Sequence, residues 1–598
     1  MTSVRVLAVA ALLAALCSVS KPSAEAQTAS CIGKVDVAGA TVCGKLGTSP
    51  DPKIAIFTYQ GIRYATAERW KMPKPAPWPS ASVAQYTDFG PICPQNKPPQ
   101  PDSEDCLFLN VWAPASALTS ATKLPVMVFI HGGAYVIGSG SSPFYDGSAL
   151  AAQGVVVVTL NYRLGALGFL RAAGGKFDPA TIEGNFGLHD QQEAMKWVHD
   201  NIAPFGGDAT RITLFGESAG AMSVGLHTFD VPSSQALFAN AIMESNPAAV
   251  IYRTPGEAAA RGDKFLKKLC AVYDGALPPK EKCPADKHWL SKVSLAQILE
   301  AQSGTNKDPK GIRTNEGAEL DAVLNFHVDY QALPWQPYVD GTFVVGQPYA
   351  GYAPQMTTYK PLAFGVNANE GDVFIAMAYA KLKKYFTPAA YKAVLLLKFG
   401  PLKYAQILSN PRYNPKKQPT PSPAFFNAQA SALANLVTDY GFACGTLSMV
   451  NAAMKTAPSV PVFGYRFTQS PFFDFYNLSK PVPVPGQGED NGACEPTTGN
   501  VCHGDELPYA FNTLASVSRP MQPGEKPVYA PTSGDHYIAD RMTEAWAQFA
   551  TDPTSPSSWQ RYDDKHEVVL WNATDAKHVD LDAFSSCSAL WLKAKPYG

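Results

Sequence analysis

The chain has almost no surplus of charge of either sign. Its 49 lysine and arginine residues face 50 aspartate and glutamate residues, a formal net charge of −1. Without a basic surplus, the whole-chain balance offers no electrostatic footprint for nucleic acid and no polybasic membrane patch. The 11 cysteines include no C-x-x-C pair, so their spacing is not that of a zinc site, and no metal or cofactor is expected. There is no internal repeat and no linker long enough to separate two domains. Beyond the first residues, no apolar run is long enough to span a bilayer. A 46% hydrophobic, 17% charged composition is that of a well-packed globular chain rather than a disordered one.

What is present begins at the N-terminus. Met1 to Arg5 is followed by Val-Leu-Ala-Val-Ala-Ala-Leu-Leu-Ala-Ala-Leu and ends near Ala24-Glu25-Ala26. A basic start, a short apolar core and a small-x-small site read as a secretory signal over residues 1–26. Residues 27–598 are then expected as one exported domain, extracellular, or periplasmic in a bacterium, with no stable membrane span. Removing Cys17 leaves ten cysteines, which fall as close neighbours: Cys31/Cys43, Cys93/Cys106, Cys270/Cys283 and Cys494/Cys502, with Cys444 and Cys587 left over. In an oxidising compartment, disulfides are the natural reading. Asn477-Leu-Ser479 and Asn572-Ala-Thr574 are sequons that matter only in a eukaryotic host.

Short apolar runs at Cys106–Trp112, Pro125–Ile130, Val155–Leu160, Ile212–Phe215, Leu362–Val366 and Val462–Phe467 suit strands buried on both faces. Ile54–Tyr64 reads as an opening hairpin region. Helical spacing covers Asn185–Ile202 and Ala539–Thr551, and Pro247–Pro334 turns helical and irregular, as an insertion over the sheet edge. Strands alternating with helices predict a mainly parallel, doubly wound α/β sheet with ligands at the strand C-termini.

The chemistry centres on Gly216-Glu-Ser218-Ala-Gly220, which follows the Ile212 strand and precedes a helix-compatible segment. That is the context of a nucleophile elbow, a strained turn presenting a serine hydroxyl. Taken alone, G-x-S-x-G is equally an ordinary strand–turn–helix joint, so the partners decide. Upstream lies His131-Gly-Gly-Ala134 directly after a strand; its small residues suit backbone amides that approach an oxyanion, with Gly133, Ala134 and Ala219 as donors. A serine hydroxyl needs an imidazole to take its proton, and the imidazole needs a carboxylate. Among ten histidines, His503 in Cys-His-Gly-Asp-Glu-Leu-Pro508 fits best; His536, His566 and His578 are late enough but lie in polar surroundings. Glu370, just past the Leu362 strand, fits the order Ser…acid…His, with Asp372 as alternative.

Together these residues resemble the type-B carboxylesterases, the cholinesterase and fungal lipase family of the α/β-hydrolase superfamily. The resemblance runs from about Tyr59 to Trp591. It is carried by Ser103-Glu-Asp-Cys-Leu-Phe-Leu-Asn110, the His131 loop, Asn161–Phe169, Gly184–Gln191, the Ser218 elbow, Asn369-Glu-Gly371 and His503–Pro508. It implies a large, mostly parallel sheet flanked by helices, with helical insertions over the active site. It also implies Ser218, Glu370 and His503 as triad, an oxyanion hole of Gly133, Ala134 and Ala219, and Glu217 and Ser245 as polar neighbours. Of the cysteine pairs, Cys93–Cys106, Cys270–Cys283 and Cys444–Cys587 match family disulfides, whereas Cys31–Cys43 and Cys494–Cys502 rest on proximity alone. Only 12 residues separate Cys93 from Cys106, with no tryptophan among them. Neither the choline-binding tryptophan of cholinesterases nor the long lid of the fungal lipases is therefore expected. The reading is a secreted serine carboxylesterase acting on small-molecule esters. A lipase or sterol esterase of the same family and a non-catalytic adhesion protein on the same fold are the rivals, and oligomeric state is open.

Overall fold

The computed structural model describes residues 31–591 except 80–82, 175–180, 274–288, 304–332, 384–385, 419–425, 474–492, 495, 518–529, 564–566, 573–576 and 582–584. The signal segment, Asn477, His566 and Cys283 lie outside the described residues.

The main-sheet strands, in chain order, are β1 (Ile32–Val37), β2 (Ala40–Leu46), β3 (Ile56–Arg63), β4 (Phe108–Pro114), β5 (Leu124–Ile130) and β6 (Val156–Leu160). They continue with β7 (Gly207–Glu217), β8 (Asn240–Glu244), β9 (Leu362–Asn367), β10 (Val462–Phe467), β11 (Glu567–Trp571) and β12 (Lys577–Asp580). They hydrogen-bond in the order β1-β2-β3-β4-β6-β5-β7-β8-β9-β10-β11-β12, with Val83–Gln85 pairing beside β2. From β6 through β11 every neighbouring pair is parallel; the pairs at the two edges are antiparallel. Each parallel strand needs a crossover, so helices cover both faces and the inner strands become apolar throughout. β6, β8, β9 and β10 are accordingly buried at every position.

The helices that place the site are α1 (Phe186–Asn201), α2 (Ala219–Phe229), α3 (Pro255–Tyr273), α4 (Glu370–Leu382), α5 (Pro388–Ser409) and α6 (Ala428–Leu436). A π-helix (Val437–Ala443) runs on into α7 (Cys444–Thr456), and α8 (Ser533–Thr551) follows. α2 is buried along its whole length, which its small residues permit. A side chain at Gly220 would meet the Ile130 carbonyl oxygen at 1.9 Å, and one at Gly216 would meet it at 2.6 Å. Gly220 is therefore a packing requirement between α2 and β5, and Gly216 one between β7 and β5.

Some elements differ from the sequence expectation. The opening hairpin is β1–β2, ahead of Ile54, and Ile54–Tyr64 contributes the single strand β3. α8 starts at Ser533 instead of Ala539, because Thr532 and Asp535 form a reciprocal capping box that fixes the first turn. In the described part of Pro247–Pro334, the helices are α3, Trp289–Lys292 and Leu295–Ser303. Disulfides join Cys31–Cys43, Cys93–Cys106, Cys444–Cys587 and Cys494–Cys502; Cys270 is also disulfide-bonded. Among the described residues, no helix is long and apolar enough to cross a membrane.

Candidate active site

Strand register assembles the site. β5 and β7 pair Ile130 with Gly216, so the His131 loop and the Ser218 elbow leave the sheet at the same level. β8 pairs Glu244 with Glu217 and, on its other side, with Gly365 of β9, which brings Ser245 and the Glu370 turn to the same rim. Ligands bind at such carboxyl ends in open α/β sheets.

Ser218 sits at φ 55 and ψ −122, a conformation that L residues seldom adopt outside a forced turn. Its N–H donates to the Glu244 carbonyl at 3.0 Å, and its own carbonyl accepts from Met222 at 2.9 Å. Among neighbours that are buried, Ser218 alone is partly exposed. The upstream loop lies directly against it: a Cβ at Gly132 would stand 3.0 Å from Ser218 Cβ and 2.5 Å from Glu217 Oε2. Gly133, Ala134 and Tyr135 all have positive φ (104, 54 and 60), a run of left-handed backbone that is uncommon for residues other than glycine. Among the described residues, the N–H groups of Gly133, Ala134 and Ala219 make no hydrogen bond. Ala219 is also the first residue of α2, whose amide ends carry partial positive charge. His131 is buried, stacks on Tyr162 at 4.5 Å and is pushed down to about 4 by burial, so it stays neutral as a wall of the loop.

His503 is buried, with Nδ1 2.6 Å from Glu370 Oε2 and Nε2 3.1 Å from Glu217 Oε1, one residue before Ser218. Its ring lies between Phe374 at 5.1 Å and Phe442 at 5.0 Å. Burial opposes the imidazolium, yet the carboxylates of Glu217 and then Glu370 outweigh it and raise His503 to about 9. Glu217 is itself raised to about 8, burial outweighing the attraction of His503. The two groups stand 3.1 Å apart, close enough for each to bias the charge of the other.

Glu370 opens α4, and its second oxygen accepts the Asn367 N–H at 2.7 Å. The next amide, of Gly371, donates to Thr438 Oγ1 of the π-helix at 2.8 Å. The alternative acid, Asp372, is buried in the same turn, but His503 Nδ1 faces Glu370; burial raises Asp372 to about 7 while Arg412 pulls it down. The other candidate histidines are not brought to the elbow: His536 and His578 are exposed, while His227 bonds Ser234 and Gln191 under full burial.

Beneath this layer Ser245 meets a polar pair that sequence reasoning did not single out, Glu506 with Asn367. Ser245 donates to Glu506 Oε1 at 3.1 Å, and Asn367 Nδ2 donates to Glu506 Oε2 and to the Cys502 carbonyl. Glu506 is raised to about 7, by burial first and by Glu370 next. Glu506 falls inside the His503–Pro508 stretch and Asn367 directly after the Leu362–Val366 run, but nothing local marks them as partners. The short Cys93–Cys106 loop is pinned by Gln95, which accepts the Gly138 N–H and donates to the Gly138 carbonyl, both at 3.0 Å.

A model of the carboxylesterase family matches residues 33–587. The fumonisin B1 esterase of Sphingopyxis macrogoltabida is 31% identical over 91% of this chain and 91% of its own. The para-nitrobenzyl esterase of Bacillus subtilis (strain 168) is 39% identical over 53% of this chain and 60% of its own. Among solved structures, the Geobacillus stearothermophilus carboxylesterase superposes with a TM-score of 0.66 at 28% identity, covering 94% of this chain and all of that one. The chain thus belongs to the carboxylesterase family and is a carboxylic ester hydrolase of the α/β-hydrolase fold.

Proposed function

We propose that the chain is an exported serine carboxylesterase, residues 27–598 forming one catalytic domain, that acts on uncharged or weakly polar small-molecule esters. Ser218 Oγ attacks the ester carbonyl carbon while His503 Nε2 takes its proton, and Glu370 stabilises the imidazolium through Nδ1. The oxyanion sits on the amides of Gly133, Ala134 and Ala219. His503 then returns the proton to the departing alcohol, leaving an acyl-serine. Water attacks that ester with His503 again as base, releasing the acid and restoring Ser218. Glu217 adjusts the charge on His503, and Ser245 holds Glu506 behind it.

The observation that carries this reading is the buried His503–Glu370 pair, 2.6 Å apart, at the elbow where Ser218 is partly exposed. The disulfides support export, and the pinned, short Cys93–Cys106 loop supports a site without a lid. The test is hydrolysis of 4-nitrophenyl esters from acetyl to palmitoyl, with Ser218→Ala as control. A short-chain optimum lost in the variant is the expected result. A long-chain optimum would make the protein a lipase. Loss of neither rate nor organophosphate labelling in Ser218→Ala would overturn the assignment. Because a full-length relative is named a fumonisin B1 esterase, that ester belongs in the second substrate panel.

A further inference from the structure

The balance of charge over the whole chain conceals one local asymmetry. Between Asp372 and Asp439 there is no aspartate or glutamate, while the same stretch holds Arg412 and eight lysines. Arg412 is bonded to Asp439, but Lys383, Lys392, Lys416 and Lys417 are exposed. In the middle of this stretch α5 is broken at Gly400, φ 73, followed by Pro401; proline has no N–H to continue the ladder, so the axis changes direction there.

The break carries an apolar ridge on its outer side. Leu397 is 80% exposed and Leu402 is 84% exposed, while the next large apolar side chain among the described residues, Leu46, reaches 62%. Ala393, one turn before Leu397, and Pro401 and Ala405 around Leu402 are exposed as well. The opposite face of the helix is already occupied, since Tyr391, Val394, Leu395 and Ile407 are buried. α5 therefore has two apolar faces, only one of which the fold uses. Lys392 flanks the ridge, and Lys398 and Lys403 lie over the rings of Tyr440 at 5.1 Å and Trp591 at 5.3 Å, with their stems along the helix.

We propose that this kinked helix docks the protein on an anionic lipid surface. Leu397 and Leu402 enter the boundary between headgroups and acyl chains, and the exposed Lys383, Lys392, Lys416 and Lys417 meet the anionic headgroups. Charge selects this occupant. A second copy seated on the same face would set one lysine-rich, acid-free segment against another, and a two-fold contact must be self-complementary. The partner has to offer negative charge and apolar depth together, as an anionic bilayer does. The whole-chain net charge does not reveal this segment, because it averages these lysines against acidic residues elsewhere. The packed side of the same break is linked to the site through the π-helix: Phe399 packs on Tyr440 at 5.3 Å, and Phe442 packs on His503.

The experiment is sedimentation of the full chain with vesicles of phosphatidylcholine containing about one third phosphatidylglycerol, compared with phosphatidylcholine alone. No turnover is needed, so the result is independent of the catalytic assignment. The expected result is partition onto the anionic vesicles that weakens as salt is raised. Leu397→Ser with Leu402→Ser should lower that partition at least about tenfold, and Lys392→Glu with Lys416→Glu should lower it while leaving 4-nitrophenyl acetate hydrolysis unchanged. Absence of partition at low salt, or equal partition by the leucine variant, would overturn the proposal. A concentration-dependent doubling of mass by analytical ultracentrifugation, lost in the leucine variant without any vesicle binding, would assign the face to a second copy instead and overturn it too.

Discussion

Replacing Glu217 by Gln tests the electrostatics of the site without removing any group proposed to react. Glu217 Oε1 stands 3.1 Å from His503 Nε2, and its charge is the largest influence raising the imidazole. With an effective dielectric constant of about 20, a full charge at 3.1 Å is worth ~5 kcal/mol. That ceiling is not reached, because burial raises Glu217 itself to about 8, so near neutrality it carries its charge only part of the time. The sign is fixed: removing a neighbouring negative charge lowers the imidazole pKa, so the unprotonated base persists to lower pH. We expect the acid limb of kcat/KM against pH, measured with a short 4-nitrophenyl ester, to move down by about one pH unit in Glu217→Gln. The level of the plateau is a separate quantity and does not bear on the argument. An acid limb that stays in place or moves upward would refute the coupling between Glu217 and His503.

Three further outcomes are expected. Asp230 is buried, with neither carboxylate oxygen bonded among the described residues, and burial raises it to about 8 from 3.8; the folded state thus keeps a proton that the unfolded state has lost. Stability therefore falls as pH rises from about 4 to about 8, at up to ~1.4 kcal/mol per pH unit, so the gain in Tm of Asp230→Asn over wild type should grow across that window and level off above it; a gain independent of pH would contradict this. Gly220→Ala places a Cβ 1.9 Å from a backbone oxygen and should abolish folding, whereas Gly225→Ala, whose nearest contact is 3.4 Å from Asn246 Nδ2, should stay within about 1 kcal/mol of wild type in denaturant unfolding. Thr438→Val removes the acceptor of the Gly371 amide beside Glu370; kcat should fall about tenfold with KM unchanged, and Thr438→Ser should restore it.

The inner sheet was legible because strands covered on both faces must be apolar along their length. β5, β9 and β10 lie within a residue or so of their expected bounds. The edges were not. β1 alternates toward solvent and β12 reads Lys-His-Val-Asp, which no hydrophobic pattern distinguishes from a loop. β8 was missed because its ends, Asn240 and Glu244, are polar even though the strand is buried. At the site, Ser218, Glu370 and His503 could be picked out because each sits in a short stretch with its own turn chemistry. Asn367 and Thr438 could not, since their partners lie 139 and 67 positions away, and an ordinary asparagine or threonine carries no sign of such a contact.

The parts of the site are widely scattered along the chain. Glu370 and His503 are 133 positions apart, and Ser245 and Glu506 are 261 apart. During synthesis the elbow emerges and can fold long before its imidazole exists. With the roles proposed above, a nascent chain, or one cut short anywhere before residue 503, would present Ser218 without its base. On those roles, reactivity waits until the polypeptide is nearly complete.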